Sequence, residues 1–395
     1  MSTAWKILLA LTFARATMGV QFQSVPALSL YLTGDAGMSF IALGTLTGAY
    51  LLPGVVVALA GGWLSRSLGD AKSVLGGLML MTLGGIAGAV LAGFEVMLIA
   101  RLVAGVGAVC LNVLVTKMVA DWFAGRDDLP TAMGILVSSW PAGLAIAALG
   151  LPLLAQQTSY EAAMLLPAVL CAVAFLTVLI VWRAPEGQQT AKVTQPAGRL
   201  AGAELLLVVL SGLVWGAYNI AFVGAIAWMP GQLQNTGASA GVAAALASFI
   251  GWAAIVSVAF GGWLAMRVKR PDGVAHISFV VSAALLVAVP FLGAIAQQSW
   301  LMALVGLSLG PAAAMIMTLP VEAADASRRG AAMGLYFALY YALMGLAPPI
   351  LGALRDATDT SAAPLFAAGV LLVVSGVLMV LFRLLQRRRK AVLGV

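Results

Sequence analysis

Twelve long apolar runs leave this chain few ways to fold. They lie near 5–32, 39–65, 72–93, 95–123, 129–155, 160–183, 202–232, 238–266, 274–296, 298–323, 329–354 and 362–387. Each exceeds the roughly 20 residues that a helix needs, at about 1.5 Å per residue, to cross a hydrocarbon core of about 30 Å. Of the 395 residues 62% are hydrophobic and 9% charged, against about 25% charged in soluble domains. There is too little polar surface to cover a globule in water, so lipid is the expected solvent. Backbone in lipid must bond to itself, and the alternating apolar and polar segments of a barrel are absent. The expected fold class is an all-α membrane protein with twelve transmembrane helices.

The chain also reads as one unit written twice. Gly61-Gly62-Trp63-Leu64 returns as Gly261-Gly262-Trp263-Leu264, and Ala132-Met133-Gly134 returns as Ala332-Met333-Gly334, both at an offset of 200 residues. Two matches at one offset point to a duplication where a single match in a Gly- and Ala-rich chain would not. The halves differ in charge, since Arg15 falls opposite Trp215. The longest polar connection, 184–201, carries Pro185, Glu186, Lys192, Pro196 and Arg199 and reads as a cytoplasmic linker. The expected domains are therefore a six-helix bundle over 1–183, that linker, and a second bundle with a basic tail over 202–395.

Charge sets the orientation. With the N-terminus inside, 17 of the 21 Lys and Arg fall on the cytoplasmic side, Arg355 falls outside, and Arg15, Arg101 and Lys117 lie within spans. That asymmetry obeys the positive-inside rule for twelve helices with both termini cytoplasmic in an inner (plasma) membrane. The net charge of +7 and the tail Arg387-Arg388-Arg389-Lys390 are accounted for by the anionic leaflet, so no nucleic-acid partner is expected. Cys110 and Cys171 fall inside spans, which excludes a disulfide framework in the outer loops. The first span lacks a signal-peptide cleavage pattern and is expected to be retained. With one His, no metal-ligand cluster and no Ser/His/acid set in the loops, neither an enzyme nor a metal or other cofactor is expected.

Four stretches carry a family likeness. Gly62-Trp63-Leu64-Ser65-Arg66-Ser67-Leu68-Gly69-Asp70-Ala71-Lys72 joins spans two and three, and Arg101-Leu102-Val103-Ala104-Gly105-Val106-Gly107-Ala108 lies in span four. Asp121-Trp122-Phe123-Ala124-Gly125-Arg126 leads into Ser138-Ser139-Trp140-Pro141-Ala142-Gly143 of span five, and Arg15-Ala16-Thr17-Met18-Gly19-Val20-Gln21-Phe22-Gln23-Ser24 forms the middle of span one. Together they resemble the Major Facilitator Superfamily over nearly the whole chain, and within it the cyanate and nitroimidazole porter branch. The resemblance implies two pseudo-symmetric six-helix bundles and transport by rocker-switch alternating access. It also implies gating or conformational roles for Gly62, Arg66, Gly69, Asp70, Gly105, Pro141, Gly262 and Arg267. Arg66 stands where the family usually has Asp, with Asp70 as the nearby acid. For any single glycine, close helix packing is the plainer reading.

The charges inside the spans carry the chemistry. Arg15 lies about ten residues into its helix, near 15 Å deep, where a cation costs at least about 2.5–3.5 kcal/mol and should face water, a counter-ion or a ligand. Arg101 shares a helix face with Ala108 and Asn112, and reads either as a cavity residue or as a brace between spans four and one. Gln23 is the better ligand candidate of the two glutamines in span one, since Gln21 points away from the Arg15 face. The second half offers Trp215, Tyr218 and Asn219 in span seven and Tyr336 and Tyr340 in span eleven, aromatic stripes that suit packing as well as binding. A small anion, inorganic or a carboxylate with an apolar body, satisfies both groups, because guanidinium forks pair with oxyanions and rings cover the remainder. Protons enter only as a co-substrate, since the spans offer no acid at depth and His276 lies in a ninth span; uniport, exchange and symport stay open. The lipid bilayer is the other partner, and a monomer is expected. The rivals are an efflux carrier for amphipathic drugs or metabolites and a non-transporting receptor.

Overall fold

Serines begin three of the long helices. Ser39, Ser159 and Ser239 turn their hydroxyls onto the N–H groups of Ala42, Ala162 and Val242 at 3.3, 3.2 and 3.4 Å, supplying acceptors to donors that a helix start leaves unpaired. Ser39 and Ser239 stand at the repeat offset seen in the sequence, and both are extended, with φ −72°, ψ 160° and φ −64°, ψ 157°. The duplication therefore extends to how equivalent helices are started.

The structure is a computed structural model that describes residues 2–34, 37–58, 68–91, 93–184, 200, 202–325 and 328–393, apart from the side chains of 130, 266 and 390–393. Gly62, Arg66 and nearly all of the 184–201 linker lie outside the described residues. The helices run in the order α1 Thr3–Ala27, α2 Ser29–Gly34, α3 Phe40–Ala49, α4 Asp70–Val90, α5 Phe94–Trp122, α6 Leu129–Gln157 and α7 Tyr160–Val181. After them come α8 Ala203–Asn235, α9 Ala240–Val268, α10 Pro271–Ala288, α11 Ser299–Ile316, α12 Leu319–Ala323, α13 Arg329–Thr358 and α14 Ala362–Leu393. No strand occurs among the described residues.

Eleven helices among the described residues are long and apolar enough to cross a membrane. The 25-residue α1 completes the set of twelve; Lys6, Arg15, Gln21 and Gln23 make it less apolar than the rest. The first expected span, 5–32, is divided into α1 and α2, with Pro26 inside the last turn of α1. Pro290 stands at the end of α10, where 3-10 turns over Val289–Phe291 and Gly293–Gln297 replace the last part of the ninth expected span.

The chain forms two compact units, Met1–Val193 and Thr194–Val395. In the first, α1 packs on α6 and α7, α4 on α5 and α7, and α3 on α5. In the second, α8 packs on α13 and α14, α10 on α11 and α14, and α9 on α11. Counted by span, these are the same pairings, so each unit independently builds one six-helix arrangement. Glycines set the closest approaches: a Cβ on Gly107 would stand 2.2 Å from the carbonyl oxygen of Gly77, and one on Gly105 2.2 Å from that of Tyr50. Backbones that touch in this way gain dispersion contacts, which replace the hydrophobic drive that lipid does not supply.

Candidate functional site

Arg15 sits halfway along α1, part-buried, and its guanidinium reaches two neighbouring helices. Nε donates to Oδ1 of Asn112 on α5 at 2.8 Å. Nη1 donates to the carbonyl oxygens of Leu136 and Val137 on α6 at 2.8 and 3.1 Å, and to the hydroxyl of Ser139 at 3.2 Å. These four neutral acceptors fix the orientation of the guanidinium. Pro141 lies one turn beyond, and its missing N–H is what leaves the Val137 carbonyl without its usual helical donor.

Arg101 has a different environment. It is 6% exposed and donates to the carbonyls of Leu46 at 3.0 Å, Gln21 at 2.6 Å and Phe22 at 3.0 Å, with Ser24 Oγ at 3.4 Å. Its guanidinium carbon lies 4.5 Å from the ring centre of Tyr50. Pro26 removes the helical donor to Phe22, so Arg101 repairs the end of α1 and ties it to α3. Of the two sequence readings of Arg101, the geometry favours the brace. Asn112, on the same face of α5 about three turns away, serves Arg15 instead.

Gln21 is anchored in the core: its Nε2 donates to the Met81 carbonyl at 2.8 Å, and its Oε1 accepts from the Tyr50 hydroxyl at 3.1 Å. Gln23 is also buried, at 1% exposure, yet its Oε1 accepts no hydrogen bond among the described residues. Phe22 bridges the two arginine sites, with ring centres 6.1 Å from Tyr50 and 5.4 Å from Trp140. Tyr50 and Ser139 were absent from the expected set. Their signal was available only as hydroxyls one turn from charged or proline-interrupted helix, a pattern too common to single them out.

The second unit brings together the aromatic candidates on α8 and α13. The Trp215 ring centre lies 5.6 Å from Tyr218, 6.3 Å from Tyr336 and 6.1 Å from Tyr340. The three tyrosines are buried, while Trp215 keeps a partly exposed face. Tyr218 donates to the Leu309 carbonyl at 3.1 Å. Asn219 turns its Nδ2 back to the Trp215 carbonyl at 2.8 Å, within its own helix, so the amide supports the stack.

The gating candidates separate by contact. Gly69 has φ +81° with nothing within 4 Å of a built Cβ, so its backbone conformation, not crowding, calls for glycine. Asp70 opens α4 and pairs with Lys117, which also holds Asp121 at 3.2 Å. A Cβ on Gly262 would meet Ala314 Cβ at an ordinary 3.9 Å, and the close approach falls on Gly261, where a Cβ would stand 2.3 Å from Pro311 Cα. Arg267 is exposed in the last turn of α9, where a cation suits the helix dipole. Acids of the second unit form an ion-pair network: buried Glu204 takes Arg389 and Arg328, each at 2.9 Å, and Arg383 joins Asp272 at 2.8 Å and Glu322. In the same network Asp325 is held below the usual carboxylate range, chiefly by its hydrogen bond from Arg328.

The sequence model of the Major Facilitator Superfamily matches residues 7–231. The cyanate transport protein CynX of Escherichia coli (strain K12) is 27% identical over 241 residues, which cover 59% of this chain and 60% of that protein. The chain thus aligns with about three fifths of that relative's length. The crystal structure of a D-xylose-proton symporter superposes with a TM-score of 0.76 over 96% of this chain and 97% of that one, at 13% identity, which shows likeness of fold alone. With the twelve-helix arrangement and the family match over more than half its length, the chain belongs to the Major Facilitator Superfamily and is a multi-pass membrane protein.

Proposed function

We propose that this transporter moves a small anion across the inner (plasma) membrane by alternating access, as a monomer with both termini cytoplasmic and residues 184–201 as the linker between its two six-helix bundles. The observation that carries the reading is Arg15: a part-buried guanidinium halfway along a membrane helix, aimed by Asn112, Ser139 and two carbonyls. A cation so placed favours an oxyanion or pseudohalide over a neutral solute. The relative named for cyanate transport supports the same chemistry. Gln23, on the same helix, can offer an anion only its amide N–H donors. Within the second unit, the partly exposed face of Trp215 is the candidate surface for the ring of an aromatic carboxylate. The scheme accommodates uniport, exchange, or symport in which the proton travels on the anion.

The test is a thermal-shift screen of the purified protein against cyanate, nitrate, carboxylates and sulfonates, followed by uptake into proteoliposomes. Arg15→Gln abolishes both the anion-dependent shift and uptake of the active anion. A variant that transports normally defeats the assignment.

A further inference from the structure

A proline inside a helix deprives the carbonyl four residues upstream of its donor, and lipid supplies no water in its place. Among the described residues, three such gaps are closed by a side chain from another helix. Arg101 Nη2 serves Phe22 before Pro26 at 3.0 Å, Arg15 Nη1 serves Val137 before Pro141 at 3.1 Å, and Ser257 Oγ serves Leu307 before Pro311. Arg101 is buried and bonded to four groups on α1 and α3. Arg15 is part-buried, and its Nη1 is shared among Leu136, Val137 and Ser139, all within the segment that Pro141 interrupts. Just beyond, α1 and α6 meet backbone to backbone at Gly19 and Gly143, where a Cβ on Gly19 would stand 2.9 Å from the Trp140 carbonyl and one on Gly143 3.0 Å from Gly19 Cα. A donor, a weakened helix and a close pivot therefore lie within about two turns of one another.

We infer that Pro141 is a positioning residue that acts through Arg15, so that anion binding and the straightness of α6 compete for one guanidinium donor. The inference rests on the anion reading above. With the site empty, Nη1 bridges the gap at Val137 and holds α6 against α1. An anion that draws Nη1 away leaves the Val137 carbonyl without its donor, and α6 bends at Pro141 about the Gly19–Gly143 contact. Release of the anion restores the bond. Nothing covalent changes; one charged hydrogen bond exchanges acceptors.

A double-mutant melting cycle on the full-length purified protein tests the linkage without any anion. Arg15→Met lowers the melting temperature by about 3 °C or more beyond its effect in a Pro141→Ala background, where residue 141 again donates to Val137. Equal effects in the two backgrounds overturn the linkage. Arg15→Lys, which retains a charged donor, repeats the cycle with a smaller coupling and serves if the methionine variant does not fold. The second readout uses cyanate, nitrate and benzoate as probes. Pro141→Ala frees Nη1 for the anion, so Kd falls about threefold while the maximal uptake rate falls about tenfold; a structural role alone moves neither in this opposed way. If both constants stay unchanged, the positioning role is overturned. If the cycle couples but none of the three anions binds the wild-type protein, the anion reading fails and the Arg15–Pro141 linkage stands.

Discussion

Gly143 meets the main chain of α1 so closely that a Cβ on it would stand 2.3 Å from the carbonyl oxygen of Ala16. The obstacle is backbone, which cannot rotate aside as a side chain would. Gly143→Ala is therefore expected to destabilise the protein by about 1–3 kcal/mol, in the range of overpacking. Gly262→Ala, whose Cβ meets only Ala314 at 3.9 Å, should stay within about 0.5 kcal/mol. Melting of the two variants side by side checks this, and equal losses would contradict the assigned contacts.

Arg101 closes the Pro26 gap and fastens α1 to α3, so its removal should be felt in folding. Arg101→Gln leaves the Phe22 and Leu46 carbonyls short of donors, at a cost of about 2–4 kcal/mol. The expected result is a lower melting temperature and poorer yield, with the anion affinity of the folded fraction retained. A variant of normal stability that has lost its anion would make Arg101 a ligand instead.

The Ser257–Leu307 bond across the Pro311 gap extends the same argument to the second unit, away from Arg15. Ser257→Ala should cost about 1–2 kcal/mol in the Pro311 chain, because the Leu307 carbonyl loses its donor where lipid supplies no other. The same change in a Pro311→Ala background should cost little. A cost independent of residue 311 would show that the serine acts by packing.

Trp215 is the partly exposed member of a stack whose tyrosines are buried. Trp215→Ala should weaken binding of benzoate about tenfold, corresponding to about 1.4 kcal/mol of ring contact, while cyanate binding changes less than about twofold. Tyr336→Phe should bind both as the wild type does, since among the described residues the Tyr336 hydroxyl reaches Met317 Sδ, a weak acceptor, at 3.8 Å. Equal weakening of both anions by Trp215→Ala would mean that the ring shapes the fold and not the apolar end of the ligand.

How much of this was legible beforehand depends on whether a property is local. Chain length in apolar runs, the repeat at Gly261-Gly262-Trp263-Leu264 and the motif around Arg101 specify the twelve-helix fold and the family, because the bilayer leaves backbone only one helical solution and because periodicity is written along the chain. The unusual place of Arg15 was visible for the same reason: depth in a span is a matter of counting residues. What Arg15 and Arg101 do was not visible. A helical wheel places Arg101 and Asn112 on one face of α5, yet Arg101 reaches Phe22 and Asn112 reaches Arg15, since azimuth on one helix does not say what stands opposite. In the same way the repeat drew attention to Gly262, while the tertiary contact falls on Gly261 against Pro311. The sequence by itself determined how many helices cross and which of them carry charge, both properties of single segments in lipid. Only the tertiary structure decided which carbonyl each proline frees to which partner, because the donor that closes such a gap comes from a helix distant in the chain.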